Sequence, residues 1–158
     1  HLMSAYFLKH HHYSFFDKSQ SDFNLRRSVI TAADGQYTAL TTMPVGYGCP
    51  PQGTTQFVLD KLGRHGNRPS HVHYFVTAPG FRKLTTQFNI EGDQYLWDDF
   101  AFATRDGLVA TAVDVTDEAE IERRGLTGAF KHIQFNVELV ADQNGAPSTD
   151  VDRRRASA

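Results

Sequence analysis

The sequence contains very little cysteine, with Cys49 as its single thiol among 158 residues. One cysteine can form neither an internal disulfide nor a zinc site built on several thiolates, so we expect a reducing compartment, the cytoplasm. Any metal ion bound by this chain must then be held by histidine, tyrosine or carboxylate side chains.

Long apolar runs and a basic excess are also absent. No apolar run approaches the ~18–20 residues of a membrane helix, so we expect no membrane span. The sequence has sixteen Lys and Arg residues and eighteen Asp and Glu residues. The resulting formal net charge of -2 argues against a nucleic-acid partner. The chain begins at His1 and shows no signal peptide. We interpret it as a fragment, or as a chain with a processed or misassigned end.

Histidine and aromatic residues are plentiful, with eight His, twelve Phe and six Tyr. The length fits one domain with one sizeable core. Because the apolar stretches are short and separated by dense turn residues, they favour strands over helices. We therefore predict a mainly β fold, an antiparallel β-sandwich with one or two short helices and long shaped loops.

Turn residues divide the chain into predicted elements. Strands are expected at residues 25–31, 36–43, 70–77, 85–90, 109–115 and 130–140, the first two joined as a hairpin by Asp34 and Gly35. Short helices are expected from Thr54 or Thr55 as N-cap to Gly63, and after an N-cap at residues 116–117 to Gly125.

Three regions result from this division of the chain. Residues 1–12 form an atypical N-terminal segment, which we attribute to cloning or to misassignment. Residues 13–142 form the folded β-sandwich domain, and residues 143–158 form a polar C-terminal tail.

The pattern His71-Val72-His73 is the most informative for chemistry. Side chains two residues apart on a strand lie on the same face, so both imidazoles can converge on one metal ion. The alternative is two histidines on a polar sheet face. The otherwise apolar strand favours the metal site, because buried imidazoles need partners to offset their desolvation.

Tyr47 is the natural further ligand. It lies between two glycines in the loop GYGCPPQG of residues 46–53, where its phenol can be aimed freely. A phenolate is a hard donor suited to ferric iron, so tyrosine with histidine indicates iron(III) rather than zinc. Tyr13 is a second candidate, although its surroundings fit a packing aromatic equally well.

Three long runs carry a resemblance to a known family. They are GYGCPPQG at residues 46–53, LGRHGNRPSHVHYFVTAPGFRKLTTQ at 62–87 and GDQYLWDDFAFATRDGL at 92–108. Together they resemble the catalytic domain of the bacterial intradiol ring-cleaving dioxygenases over residues 13–140. The segment GRHGNRP at residues 63–69, just before the two histidines, is similar to that of the catechol type of this family, whereas the hydroxyquinol and chlorocatechol types tend to carry GRHPWRP.

The resemblance implies an iron site and its neighbours. Family members bind non-haem Fe(III) through two tyrosines and two histidines, which match Tyr13, Tyr47, His71 and His73. Tyr47 would leave the iron when substrate binds and accept a substrate proton. Arg68 would stabilise negative charge on the bound diolate, and Gln87 would lie beside the attacked ring carbon. Cys49 and Phe100 would line the ring pocket together with Arg68 and Gln87.

The resemblance also implies substrates and partners. Catechol and O2 would give cis,cis-muconate in aromatic catabolism. Members are homodimers through a helical N-terminal domain with no counterpart here, so we interpret the chain as the catalytic half of a longer enzyme. Family members also carry a different strand ahead of the first ligand, which leaves Tyr6 as a rival to Tyr13.

Two other functions compete with this one. A His-x-His metalloenzyme of cupin type with Fe(II), Mn or Zn would need a further ligand such as His132 or Glu91. A non-enzyme would be a β-sandwich binding module, or a truncated, iron-poor and inactive fragment.

Overall fold

Strands dominate the computed structural model, which describes residues 2–7 and 25–142. The strands are β1 (Leu2–Phe7), β2 (Arg26–Ile30), β3 (Tyr47–Gly48), β4 (Asn67–Arg68), β5 (His71–Thr77), β6 (Leu84–Ile90), β7 (Val109–Ala110), β8 (Ala112–Val115) and β9 (Phe130–Ile133). The helices are α1 (Thr54–Lys61) and α2 (Glu118–Arg123). The predicted mainly β fold with short helices is confirmed.

The strands form one large sheet and two small ones. The large sheet has five strands in the order β2-β1-β5-β6-β7, and β3–β4 and β8–β9 form two-stranded sheets. Each neighbouring pair is antiparallel except β6–β7, which is parallel. The antiparallel prediction therefore holds for all described ladders but that one.

The core lies on one face of β5 and β6. Val72, Tyr74 and Val76 alternate along β5 and are buried with Phe88 and Ile90 of β6. Burying a side chain of this size contributes ~1.5–3 kcal/mol. The residues that pack over them are Tyr37, Leu84, Ala112, Ile133, Phe135, Val137 and Leu139. This two-layer packing makes the domain a β-sandwich.

The opposite face of the same two strands is polar. Because strand side chains alternate, the residues between the core positions point away from the core. The ladder places His71 opposite Asn89 and His73 opposite Gln87. Four polar side chains of two neighbouring strands thus share one face, behind which the core is packed.

The predicted hairpin after β2 is only partly present. Its turn forms, since Gly35 has φ +85° and the Ala32 N–H donates to the Gln36 carbonyl. No strand occupies residues 36–43, and β2 pairs instead with β1. The prediction of a strand at 36–43 is wrong, because the partner of β2 precedes it in the chain and does not come from the segment after the turn.

Two other predicted strands are shorter than expected. The segment at 109–115 is divided at Thr111, because β7 pairs with β6 whereas β8 pairs with β9. The last predicted strand, 130–140, ends at Ile133. Beyond it Phe135, Val137 and Leu139 still pack against the core without belonging to a ladder.

The two helices begin differently. Gly53 is the N-cap of α1 and offers no side-chain hydrogen bond, so the prediction of Thr54 or Thr55 as the cap is wrong. Asp117 caps α2, accepting from the Glu120 N–H across 2.9 Å, as the acidic sequence there predicts. Within the described residues, neither helix has the length and apolar character required to cross a membrane.

Candidate active site

A two-residue ladder brings Tyr47 and Arg68 together. Tyr47 of β3 pairs with Arg68 of β4, and Gly48 pairs with Asn67. A Cβ at Gly46 would lie 2.9 Å from the Arg68 carbonyl oxygen, and one at Gly48 would lie 2.7 Å from Asn67 Oδ1. The two glycines are therefore needed for the close approach that presents Tyr47 beside Arg68.

Three of the four predicted metal ligands lie next to one another. The rings of His71 and His73 meet edge to face with centroids 4.8 Å apart. The Tyr47 ring lies 5.4 Å from that of His71. Tyr13, the fourth predicted ligand, and its rival Tyr6 lie where no side chain is described.

The orientation of the His71 ring is set by the backbone. Its Nδ1 lies 2.6 Å from the carbonyl oxygen of Pro69. A carbonyl oxygen only accepts, so Nδ1 carries the proton and Nε2 keeps its lone pair. That lone pair faces Nη1 of Arg68 at 3.2 Å.

Burial favours the neutral form of both histidines. Burial, more than the nearby charges of Arg68 and His73, lowers the pKa of His71 to about 4. Burial, followed by the charge of Arg68, also lowers the pKa of His73. Neutral imidazole is the form that binds a metal ion.

Arg68 lies at the centre of the cluster. Its Nη1 donates to Tyr47 Oη across 3.3 Å, and its Nη2 donates to Gln87 Oε1 across 3.0 Å. Its Nε and Nη2 donate to the two oxygens of Asp99 at 3.1 and 3.2 Å. Burial alone would lower the pKa of Arg68, but Asp99 and Tyr47 outweigh it and raise that pKa. The site therefore contains a permanent buried cation.

Gln87 is in direct contact with Arg68, and its position beside a substrate ring carbon stays a prediction. Its Oε1 accepts from Arg68, and its Nε2 donates to Asn89 Oδ1 across 2.9 Å. Both amide ends are thus occupied, and the side chain is buried on the same face as the two histidines.

Cys49 and Phe100 are both attached to the β4 region through their backbones. The Cys49 N–H donates to the Gly66 carbonyl across 2.9 Å, and the Phe100 N–H donates to the Asn67 carbonyl across 3.1 Å. Both residues are half-buried, and burial raises the pKa of the Cys49 thiol. Their contact with a substrate ring stays a prediction.

Asp99 is a member of the cluster that sequence reasoning missed. The pair Asp98-Asp99 indicates a turn, and the Phe102 N–H does donate to the Asp99 carbonyl. The Asp99 side chain is nevertheless 1% exposed and bound to Arg68, whereas that of Asp98 is 79% exposed. Two adjacent identical residues give no signal that only the second one is buried.

Asp93 was missed as well. Its Oδ2 accepts from the Ser70 N–H across 2.9 Å, and its Oδ1 accepts from the Tyr95 N–H across 2.9 Å. It therefore fixes the residue immediately before His71. A cavity of about 290 Å³ adjoins it, lined by residues 46–48, 67 and 93–95. Of the candidate metal ligands, Tyr47 is among the described residues that line this cavity.

Beside His71 and His73, the described residues place the tyrosine Tyr47 at this cluster as a further candidate ligand. Among the described residues, no three His, Cys, Asp or Glu side chains are grouped so that they could hold a metal ion. His132 lies in β9 opposite Val113, and Glu91 accepts a hydrogen bond from Thr111. Neither therefore joins His71 and His73 as the cupin-type alternative requires.

Comparison with known proteins identifies the family. A family model described as "Dioxygenase" matches residues 9–141. The chain belongs to the intradiol ring-cleaving dioxygenase family. Relatives of this intradiol dioxygenase chain include a catechol 1,2-dioxygenase of Acinetobacter guillouiae, 75% identical over 135 residues, which are 85% of this chain and 44% of the relative. The chain spans about half the length of the curated relatives it matches.

Solved structures of the intradiol dioxygenases agree with this fold. The crystal structure of wild-type catechol 1,2-dioxygenase from Acinetobacter radioresistens matches with a TM-score of 0.88 and 73% identity, over 99% of this chain and 51% of that chain. A hydroxyquinol 1,2-dioxygenase of Rhizobium sp. is 34% identical over 111 residues, 70% of this chain and 38% of the relative. Identity is thus much higher to the catechol enzymes, in keeping with the GRHGNRP motif.

Proposed function

We propose that this chain is the iron-binding catalytic portion of an enzyme that cleaves catechol with O2 to cis,cis-muconate. The observation that carries the proposal is the cluster in which the Arg68 guanidinium contacts both Tyr47 and His71. His73 and Gln87 complete it on the same sheet face. The names of the relatives, catechol 1,2-dioxygenases, support the substrate and the reaction.

The donor atoms present suit ferric iron. Tyr47 Oη, His71 Nε2 and the His73 imidazole would hold the ion, with Tyr13 as the proposed fourth ligand. The fit rests on the lone pair of His71 Nε2, which faces the cluster because Nδ1 is bound to Pro69. A phenolate with neutral imidazoles is a hard, anionic donor set. Bound iron would supply the dioxygen chemistry that no amino-acid side chain provides.

Nη1 of Arg68 would lose one of its partners if His71 held the ion. His71 Nε2 has a single lone pair, so it could not accept from Nη1 while it held a metal. Asp99 and Gln87 still hold the other side of the guanidinium. Nη1 is then available to donate to an oxygen of the catechol diolate. A fixed guanidinium stabilises negative charge there without having to reorganise.

Tyr47 has the proposed role of proton acceptor. Catechol must lose its hydroxyl protons to bind as a diolate, and Tyr47 Oη takes one of them. The 3.3 Å contact of Oη with Arg68 keeps the phenol at the site during this transfer. The close contacts at Gly46 and Gly48, on either side of Tyr47, fix the backbone that carries the phenol.

The overall reaction needs no further reactant. One ring carbon–carbon bond breaks between the two hydroxyl-bearing carbons, and both atoms of O2 enter the product as carboxyl oxygens. Gln87 would lie beside the attacked carbon, with its amide oxygen turned to Arg68 and its amide nitrogen to Asn89. For the whole protein we also propose a cytoplasmic location and a homodimer.

Ferric reconstitution tests the proposal. The 158-residue chain is loaded with Fe(III), and the visible spectrum is recorded before and after anaerobic addition of catechol. O2 is then admitted, and muconate is measured by its ultraviolet absorbance. A tyrosinate-to-iron band, its shift with catechol, and muconate formation are expected. Tyr47→Phe should weaken the band and turnover together, whereas Tyr95→Phe should leave both unchanged.

Two results would contradict the proposal in different ways. A chain that stays colourless and free of iron after ferric reconstitution would refute the proposed metal site. A coloured chain that binds catechol but forms no muconate would identify an inactive fragment, one of the alternatives that the sequence leaves open. Unchanged muconate formation by Tyr47→Phe would refute the assignment of that ligand.

A further inference from the structure

Asp99 holds two of the three nitrogen atoms of the Arg68 guanidinium. Nε donates to Oδ1 across 3.1 Å and Nη2 donates to Oδ2 across 3.2 Å. The side chains are 11% exposed for Arg68 and 1% for Asp99. The third nitrogen, Nη1, is the one that faces Tyr47 and His71. The fork-to-fork pair therefore determines which nitrogen meets the reacting groups.

Asp99 is itself fixed by its own loop. The Ala101 N–H donates to Oδ1 and the Ala103 N–H donates to Oδ2, each across 3.1 Å. Between them, Phe102 has φ +52°, a left-handed conformation that a bulky residue rarely adopts. The carboxylate is thus held by two backbone donors in a turn that is not intrinsically preferred, and its position does not depend on Arg68 alone.

The contacts continue from Arg68 and return to the same loop. Arg68 donates to Gln87 Oε1, and Gln87 Nε2 donates to Asn89 Oδ1. Asn89 Nδ2 then donates to Thr104 Oγ1 across 2.8 Å. Thr104 comes directly after the loop that binds Asp99, so the hydrogen bonds form a closed ring through residues 99–104. In this ring the Gln87 amide has one satisfied orientation, with its oxygen towards Arg68.

We propose that Asp99 is a positioning residue, which locks the Arg68 guanidinium so that Nη1 faces the diolate and, through the ring, fixes the Gln87 amide. This inference rests on the proposed function for the role of Arg68 towards substrate. A purely structural ion pair would affect folding alone. A positioning residue also sets the orientation of Arg68 in the folded chain and the rate of the chemical step.

The orientation is testable without iron. In the metal-free, ¹⁵N-labelled chain, the Nε–H signal of Arg68 is assigned by its loss in Arg68→Lys, and its exchange with water is measured. We expect strong protection in the wild type. In Asp99→Asn, exchange should rise roughly tenfold or more, since one charged hydrogen bond is lost. Asp106→Asn, a change of an exposed carboxylate, is the matched control and should leave the signal unchanged.

The kinetic consequence is a split between kcat and KM. Per bound iron, Asp99→Asn should lower kcat by roughly 10–100-fold, as loss of an outer-shell partner does. KM should change less than kcat, because the other contacts of the substrate remain, whereas Nη1 is no longer held where negative charge develops in the transition state. Asp106→Asn should keep wild-type values of both constants.

A second variant keeps the proposal open to refutation when Asp99→Asn does not fold. Thr104→Val removes only the far acceptor of the ring and preserves shape; it should speed exchange of the Gln87 side-chain amide. The inference would be overturned if Arg68 Nε–H stayed protected from exchange in Asp99→Asn, or if the Gln87 amide stayed protected in Thr104→Val. An unchanged kcat of Asp99→Asn would overturn it as well. If the wild type forms no muconate, the proposed function fails, and the exchange measurements still decide the positioning of Arg68.

Discussion

His71 donates its Nδ1 proton to the carbonyl oxygen of Pro69, two residues earlier in the chain, across 2.6 Å. Pro69 is fully buried, and it lies between Arg68 and Ser70, which are each held by an aspartate. The imidazole is therefore oriented by a buried, hydrogen-bonded stretch of backbone. Such partners fix the tautomer of a ligating histidine.

Removal of either histidine should abolish tight iron binding. We expect His71→Ala and His73→Ala to lower the affinity for Fe(III) by more than the roughly 10–100-fold lost with an outer-shell partner. His132→Ala, in the exposed ladder of β9, is the control. Iron content after desalting and a ferric titration measure the effect. Equal iron content in all three variants would place the metal elsewhere.

Added methyl groups at the glycines beside Tyr47 should destabilise the fold in a graded order. At Gly46 the new Cβ would meet the Arg68 backbone oxygen, which cannot move easily, so we expect a loss of about 1–3 kcal/mol. At Gly48 it meets the Asn67 side chain, which can turn away, so the loss is smaller.

Gly128→Ala provides the matched control for that series, since among the described residues no atom beyond its chain neighbours would lie within 4 Å of the added Cβ. Urea unfolding of the three alanine variants gives the free energies. The order Gly46, Gly48, Gly128 from largest to smallest loss is expected. A loss at Gly128 as large as at Gly46 would mean that backbone propensity, rather than close approach, accounts for the effect.

The aromatic centre of the sandwich should dominate its stability. Phe88 is 3% exposed, and its ring lies 4.6 Å from that of Phe135 and 5.4 Å from that of Tyr74. Phe88→Ala should cost about 3–5 kcal/mol of unfolding free energy. Phe57→Ala, at a position 61% exposed on α1, should stay within about 0.5 kcal/mol. Chemical denaturation compares the two, and similar losses would contradict the location of the core.

The Asp99–Arg68 pair should make stability depend on acid pH. Burial alone would raise the pKa of Asp99, but hydrogen bonds from Arg68 and the Ala101 and Ala103 N–H groups hold it below its ordinary value of 3.8. The unfolded chain therefore takes up this proton first as the pH falls. The stabilisation is complete above the unfolded pKa and disappears as the pH drops through the folded one.

The comparison is between the wild type and Asp99→Asn, unfolded by urea from about pH 3 to about pH 6. At about pH 6 we expect the free energy of unfolding of Asp99→Asn to be about 3–5 kcal/mol lower than that of the wild type, because Arg68 is left as an unpaired buried charge. The difference should narrow below about pH 4. Asp106→Asn should match the wild type throughout. A difference that is constant over the whole range would show that Asp99 acts through shape and not through charge.

Alternation of apolar residues predicts which face of a sheet a side chain occupies better than it predicts which strands pair. Side chains alternate between the two faces of β5 with a period of two residues. This alternation explains both the buried side chains of Val72, Tyr74 and Val76 and the polar face that carries His71 and His73. Residues 134–140 alternate in the same way and pack on the core, yet no ladder includes them. Hydrogen-bonded pairing depends on which strand lies alongside, and local periodicity carries no information about that.

The part of the candidate site that depends on residues close together in the sequence was predictable. His71, His73 and Tyr47 come from a strand and a glycine-flanked loop, and the structure brings all three together. The supporting carboxylates were not predictable in the same way. Asp99 meets Arg68 across 31 residues of sequence, and its neighbour Asp98 has the same chemistry but points to solvent.

The two faces of β5 give the chain an unusual sensitivity to insertions. Core positions and candidate iron ligands alternate along the seven residues of this strand. A single residue inserted near His71 would exchange the faces of the residues after it, turning imidazoles towards the phenylalanines and valines towards Arg68. The spacing inside this strand therefore cannot vary, because one insertion would disrupt the core and the candidate iron site together.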